Sequence, residues 1–141
     1  MQNEIKANEL RIGNWVQQTK RRQQSKKISN LLILSVGQQG VNIAWQPDGE
    51  KLEPYRQLSG IPLTPEILEK AGFEDKGRLG NSWSYLKLGK VNITSHPKKD
   101  GTNRYNFQYD TSLSQSVDLL YIHQLQNLYY ALTQTELKIE L

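Results

Sequence analysis

The stretch Ile61-Pro62-Leu63-Thr64-Pro65-Glu66-Ile67-Leu68-Glu69-Lys70-Ala71-Gly72-Phe73 carries the clearest local grammar in the chain, and the fold is read outward from it. Thr64 is a good N-cap, because its hydroxyl can accept from an otherwise orphaned amide. Pro65 then sits at the first helical position, where its missing N–H costs nothing. Glu66 falls in the first turn, where a negative charge suits the helix dipole. The helix is expected to end near Ala71, with Gly72 left-handed just past it and Phe73 folding back as the apolar contact. This short capped helix links two parts of the chain that both read as largely β.

Upstream, Leu10, Ile12 and Trp15-Val16 surround the turn-forming pair Gly13-Asn14 and lead into a strand. Gln17 to Lys27 has almost no apolar residue and reads as an exposed loop or the ends of two strands. Leu31 to Val36 is an apolar run too short for a typical helix, so a buried strand is expected. After the turn Gly37-Gln38-Gln39-Gly40, the residues Val41, Ile43 and Trp45 alternate with polar positions, which completes a hairpin. Pro47-Asp48-Gly49 breaks the strand, and Leu52 to Leu58 reads as another.

Downstream, residues 74 to 82 are polar and contain Gly77 and Gly80, which predicts a loop. Ser82 to Leu88 and Val91 to His96 read as strands. Pro97-Lys98-Lys99-Asp100-Gly101 makes a turn, and Arg104 to Tyr109 returns. In the returning strand Tyr105, Phe107 and Tyr109 share one face, with Arg104, Asn106 and Gln108 on the other. Val91 and Ile93 are expected to lie on the aromatic side. Ser112-Leu113-Ser114-Gln115 fits a capping box. A long helix is expected from Val117 to Thr133, with Val117, Tyr121, Leu125, Leu128 and Leu132 as its stripe, widened by Ile122 and Tyr129. Leu137, Ile139 and Leu141 alternate with Lys138 and Glu140 and read as a final edge strand.

The predicted class is α+β. A small N-terminal β-barrel or meander over 1–60 precedes an antiparallel sheet packed by one long helix over 61–141, the two forming one continuous globular unit. The length of 141 residues suits that size. The absence of cysteine excludes a disulfide framework, a thiol nucleophile and zinc-finger chemistry. With a mean hydropathy of -0.69 and no apolar run near 18 residues, no membrane span is expected. The Met1-Gln2-Asn3-Glu4 start lacks a signal-peptide pattern, so a cytoplasmic setting is expected.

Chemical motifs are sparse. His96 and His123 are far apart in sequence, and no Ser-His-Asp order, G-x-S-x-G or H-E-x-x-H appears. His123 reads as a structural residue of the long helix. His96 precedes Pro97 at a strand end, on the polar face with Thr94, where a general base is one reading. Gly77-Arg78-Leu79-Gly80 is too short for a phosphate loop. No catalytic residue, metal site or cofactor is therefore predicted. Gln and Asn are common, as in Gln17-Gln18, Gln23-Gln24 and Gln38-Gln39, and amides are poor acids and bases.

Two basic clusters stand out against a net charge of +4. One is Lys20-Arg21-Arg22 with Lys26-Lys27; the other is Lys98, Lys99 and Arg104. Such clusters attract phosphate, although a solvated loop explains them equally well. The modest total charge does not favour a dedicated duplex binder. Trp83 and Tyr85 point opposite to Leu86 and Leu88 within their strand. They and Tyr105 are open to three readings: core, interface or a surface on which a base could stack.

Leu10-Arg11-Ile12-Gly13-Asn14-Trp15-Val16, the Ile61 to Phe73 stretch and Tyr121-Ile122-His123-Gln124-Leu125-Gln126-Asn127-Leu128-Tyr129-Tyr130-Ala131-Leu132-Thr133 together resemble a family of small uncharacterised proteins encoded by phages and mobile elements of the Bacteroidetes. The resemblance covers the whole chain in the same order and carries no catalytic residues. It implies a setting: a phage gene product acting in a bacterial host cell.

The expected function is a non-enzymatic binding protein for a small phosphate-bearing ligand, such as a nucleotide or cyclic nucleotide immune signal, acting as an anti-defence sponge. The expected ligand-binding residues are Trp83, Tyr85, His96, Lys98, Lys99, Arg104, Tyr105, Arg21 and Arg22. A nucleic-acid accessory module and a protein–protein inhibitor of a host factor are the alternatives. The apolar edge at Leu137 to Leu141 predicts a homodimer.

Overall fold

The computed structural model describes residues 5–18, 30–45, 49–55, 58–79, 83–100, 103–109 and 117–141. Strands β1 (Trp15–Gln18), β2 (Asn30–Val36), β3 (Gly40–Trp45), β4 (Gly49–Pro54) and β5 (Leu58–Gly60) form one antiparallel sheet in the order β4-β3-β2-β1-β5. Strands β6 (Glu74–Leu79), β7 (Trp83–Leu88), β8 (Val91–Pro97), β9 (Asn103–Tyr109) and β10 (Val117–Leu119) form a second, in the order β10-β9-β8-β7-β6. The helices are α1 (Pro65–Lys70) and α2 (Ile122–Thr133). The chain divides into two compact units, 1–61 with 121–127 and 62–120 with 128–141.

The α+β class holds, and several finer expectations are corrected. The first sheet is not a closed barrel. It is a four-stranded meander extended by β5, which pairs with the free side of β1, leaving β4 and β5 as opposite edges. The strand expected over 52–58 is divided into β4 and β5; Pro54, without an N–H, closes the first of them. Residues 74–79 are a strand rather than a loop, paired with β7 across a register shift next to Gly77, whose φ is 96°. The long helix starts at Ile122, not Val117. Residues 117–119 pair instead with β9, Leu119 opposite Tyr105. The tail 137–141 forms no strand, although Leu137 and Ile139 are buried in the alternation expected of one. The edge on which a dimer was expected is therefore not formed. The capping box at 112–115 lies outside the described residues.

In the first unit, Val16, Leu31, Ile33, Val41 and Ile43 project to the same side of their sheet. They form a buried core with Ile5, Leu10, Tyr55 and Leu58. Each such aliphatic side chain contributes about 1.5–3 kcal/mol when removed from water. The turn before β1 is fastened by amides. Asn14 accepts from the Arg11 amide at 2.7 Å and donates to Asn127 Oδ1 at 2.9 Å. Gln126 Oε1 accepts from the Trp15 amide at 2.9 Å, and its Nε2 donates to the Gly13 carbonyl at 3.0 Å. Arg11 Nε donates to Asn127 Oδ1 at 2.9 Å, and Asn127 Nδ2 donates to the Glu9 carbonyl at 2.7 Å. Asn14 and Gln126 are both buried, and a buried amide is tolerated because its groups are paired. Two of the three stretches that carry the resemblance are thus joined by this network, and part of the Asn and Gln content has a structural use.

In the second unit, α1 forms as its punctuation predicts. Thr64 Oγ1 accepts from the Ile67 amide at 3.2 Å. Gly72 has φ 104°, and the Phe73 amide reaches back to the Leu68 carbonyl at 3.0 Å. Leu68, Ala71 and Phe73 are buried, as are Leu86, Val91, Ile93, Tyr105, Phe107 and Leu119 from one face of the second sheet. The register pairs Leu86 with Ile93 and Ile93 with Phe107, which places Val91 and Ile93 on the aromatic side as expected. The stripe of α2, whose residues up to Asn127 belong to the first unit, is shifted from the expected one. Ile122, His123, Leu125 and Gln126 are buried, whereas Leu132 is exposed. Gln124 Oε1 accepts from the Tyr121 amide at 3.1 Å, a capping contact on the residue preceding the helix.

Candidate functional site

The outer face of the second sheet follows from strand periodicity. Because Val91, Ile93, Ser95, Tyr105 and Phe107 are buried, their neighbours Asn92, Thr94, His96, Arg104, Asn106 and Gln108 must project to the other side. Cross-strand register pairs Asn92 with Gln108, Thr94 with Asn106, and His96 with Arg104. Strand β7 sets Tyr85 opposite Thr94 and Lys87 opposite Asn92, and β10 sets Asp118 opposite Asn106. One row, Tyr85–Thr94–Asn106–Asp118, therefore crosses four strands. The His96–Arg104 pair is the next step along the sheet, on the diagonal from Tyr85, where side chains are about 7–8 Å apart at their bases.

Hydrogen bonds hold this face in place. Tyr85 Oη donates to Asn92 Oδ1 at 2.7 Å. Thr94 Oγ1 and His96 Nε2 are 3.3 Å apart. Arg104 Nη2 donates to Asp118 Oδ2 at 2.9 Å and to Oδ1 at 3.2 Å, and Asn106 Nδ2 also donates to Oδ1. Arg104 and Asp118 are 58% and 52% exposed at their side chains, so this pair stands in water and contributes at most about 1 kcal/mol. Lys98 and Lys99 are exposed on the turn that follows β8.

Of the residues expected to bind ligand, Tyr85, His96 and Arg104 share this face, and Lys98 and Lys99 lie at its hairpin end. Tyr105 does not join them. It is 4% exposed on the inner face, and burial pushes its phenol pKa up, with the Asn103 and Ser95 side chains opposing and the Glu66 charge adding to the rise. Trp83 belongs to β7, but its side chain lies outside the described residues, as do Arg21 and Arg22 with the rest of their basic cluster. Sequence reading set Thr94 beside His96 and Asn106 on the face of Arg104, but left Asn92, Thr94, Asn106 and Asp118 out of the site. The signal was present for the first three, which share the even-numbered phase of His96 and Arg104. Asp118 was hidden by being assigned to a helix.

Among the described residues, two buried polar side chains carry atoms without a hydrogen-bond partner, both in the first unit. His123 is 1% exposed, its ring stacked on Tyr121 with centroids 5.8 Å apart, and neither ring nitrogen has a hydrogen-bond partner. Burial holds its pKa below the usual histidine value, with the Glu9 charge opposing. Glu53 is 1% exposed beside Val41; its Oε1 lies 3.3 Å from Lys51 Nζ and its Oε2 has no partner.

Among the described residues, no group of three or more His, Asp or Glu side chains is placed to hold a metal ion. No helix among them is long and apolar enough to cross a membrane. Comparison of the chain with family models, with curated proteins and with solved structures yields no match. Nothing in those comparisons links it to the phage-encoded family that its motifs resemble, and the geometry of the outer face is what its function must be read from.

Proposed function

We propose that the protein is a non-enzymatic binding protein that takes a small phosphate-bearing ligand, such as a nucleotide, on the outer face of the second sheet. The observation that carries this is one of placement. An aromatic ring, Tyr85, and a cation, Arg104, project from the same face, with His96 paired to Arg104 and diagonal to Tyr85, and Lys98 and Lys99 extend the positive charge beyond it. Aromatic faces stack bases, and guanidinium and ammonium groups hold phosphate oxygens. The surrounding groups, Asn92, Thr94, Asn106 and Gln108, are hydrogen-bonding amides and a hydroxyl, suited to recognition more than to proton transfer.

The sponge role, removal of a messenger in the cytoplasm of a bacterial host, draws its support from the resemblance to phage-encoded proteins alone. The binding reading is tested by thermal denaturation with mono-, di- and cyclic nucleotides. A ligand present at a hundred times its Kd adds about 2.7 kcal/mol of stability, a shift of several degrees. Tyr85→Ala and Arg104→Ala should each reduce that shift. No shift with any nucleotide sinks the reading.

A further inference from the structure

The anion site of this face is already filled, by the protein's own Asp118. Arg104 Nη2 reaches both oxygens of that carboxylate, and Asn106 Nδ2 reaches one of them. The donors converge on a single point above the outer face, one cross-strand step from Thr94 and adjacent to His96. They form the donor set that two oxygens of a phosphate would need, a fork from a guanidinium completed by a neutral amide. A ligand phosphate cannot use them while the carboxylate does.

We propose that Asp118 is a built-in competitor, occupying the Arg104 and Asn106 donors until a phosphate displaces it. The proposal rests on the binding reading given above. Three features fit a removable occupant. The ion pair is more than half exposed on both sides, so it is held only weakly. Its carboxylate is carried by β10, a strand of three residues at the edge of the sheet, paired on one side only. Tethering keeps the carboxylate at high local concentration, so it excludes weak or sparse anions without closing the site permanently. Such an arrangement sets a threshold. Only a ligand that gains further contacts on the face, such as stacking on Tyr85, pays the cost of displacement.

The test compares wild type with Asp118→Asn by calorimetric titration with adenosine 5′-monophosphate. The substituted amide keeps an oxygen acceptor for Arg104 and Asn106 but loses the charge. Asp118→Ser serves as a second variant, and the melting temperature of each reports that it is folded. The variants are expected to bind about fivefold tighter than wild type, the factor that an exposed ion pair commands. Binding by the variants alone, with wild type below detection, also supports the proposal. Equal or weaker binding by both variants, with wild type still binding, overturns the competitor and leaves the binding reading intact. No binding by any of the three proteins overturns both.

Discussion

Asn14 Nδ2 lies 2.9 Å from Asn127 Oδ1, joining residues separated by 113 positions in the chain. The turn before β1 is held in place by this contact and by the Gln126 bonds beside it, not by apolar packing alone. Gln38, by contrast, is exposed in the turn between β2 and β3.

The network makes a direct prediction. Asn14→Ala removes the acceptor of the Arg11 amide and one of the donors to Asn127 Oδ1 at a buried position, which costs about 1–3 kcal/mol. Gln126→Ala should cost a similar amount, because the Trp15 amide and the Gly13 carbonyl lose their partner. Gln38→Ala, at an exposed turn position, should change stability by less than about 0.5 kcal/mol. Urea denaturation of the three variants checks this ordering. Equal, small effects at all three positions would show that the network contributes nothing.

His123 predicts a pH dependence. Its folded pKa lies below its unfolded value, so over the interval between the two the unfolded chain binds more protons. The stability contributed by the neutral ring is complete above the unfolded pKa, near 6.5. It is lost as pH falls through that value towards the lower folded pKa. The melting temperature should therefore fall between about pH 7.5 and pH 5. His123→Phe keeps a ring on Tyr121 and removes two nitrogens that have no partner, so its melting temperature should vary less over that range. Parallel curves for the two proteins would contradict the assignment.

Gly60 on β5 lies directly beneath the ring of Tyr121, and a Cβ there would overlap the ring atoms. Gly60→Ala should cost about 1–3 kcal/mol through forced movement of the ring. Tyr121→Ala alone loses the stack on His123, but the double variant Gly60→Ala/Tyr121→Ala should be more stable than the sum of the single effects predicts. Strict additivity in a denaturation cycle would show that the two positions do not meet.

What could be read from the chain alone divides along physical lines. Helix α1 was legible because capping and termination are local: Thr64, Pro65, Gly72 and Phe73 each act within a few residues of one another. The β2–β3 and β8–β9 hairpins were legible because each has one buried and one wet face. Strand β6 was not. Glu-Asp-Lys-Gly-Arg-Leu over 74–79 lies at a sheet edge, and hydrogen bonding to β7 rather than an alternating apolar pattern makes it a strand. Residues 117–119 misled in the opposite sense. Val117 continues the helical period of Tyr121 and Leu125, yet pairing with β9 is a long-range interaction that no local period encodes. The candidate site was half legible for the same reason. Its even-numbered residues on β8 and β9 share a visible phase, whereas the Arg104–Asp118 pair exists only once β10 is docked.

The division of α2 between the two units bears on how the molecule is made. Residues 1–61 leave the ribosome well before Gln126 and Asn127, which close the turn before β1. The amino-terminal sheet can collapse early around its aliphatic side chains, while its buried Asn14 waits for a partner more than a hundred residues away. Completion of the first unit is thereby tied to synthesis through residue 127, and a nascent fragment ending before residue 126 carries an unfinished polar seam.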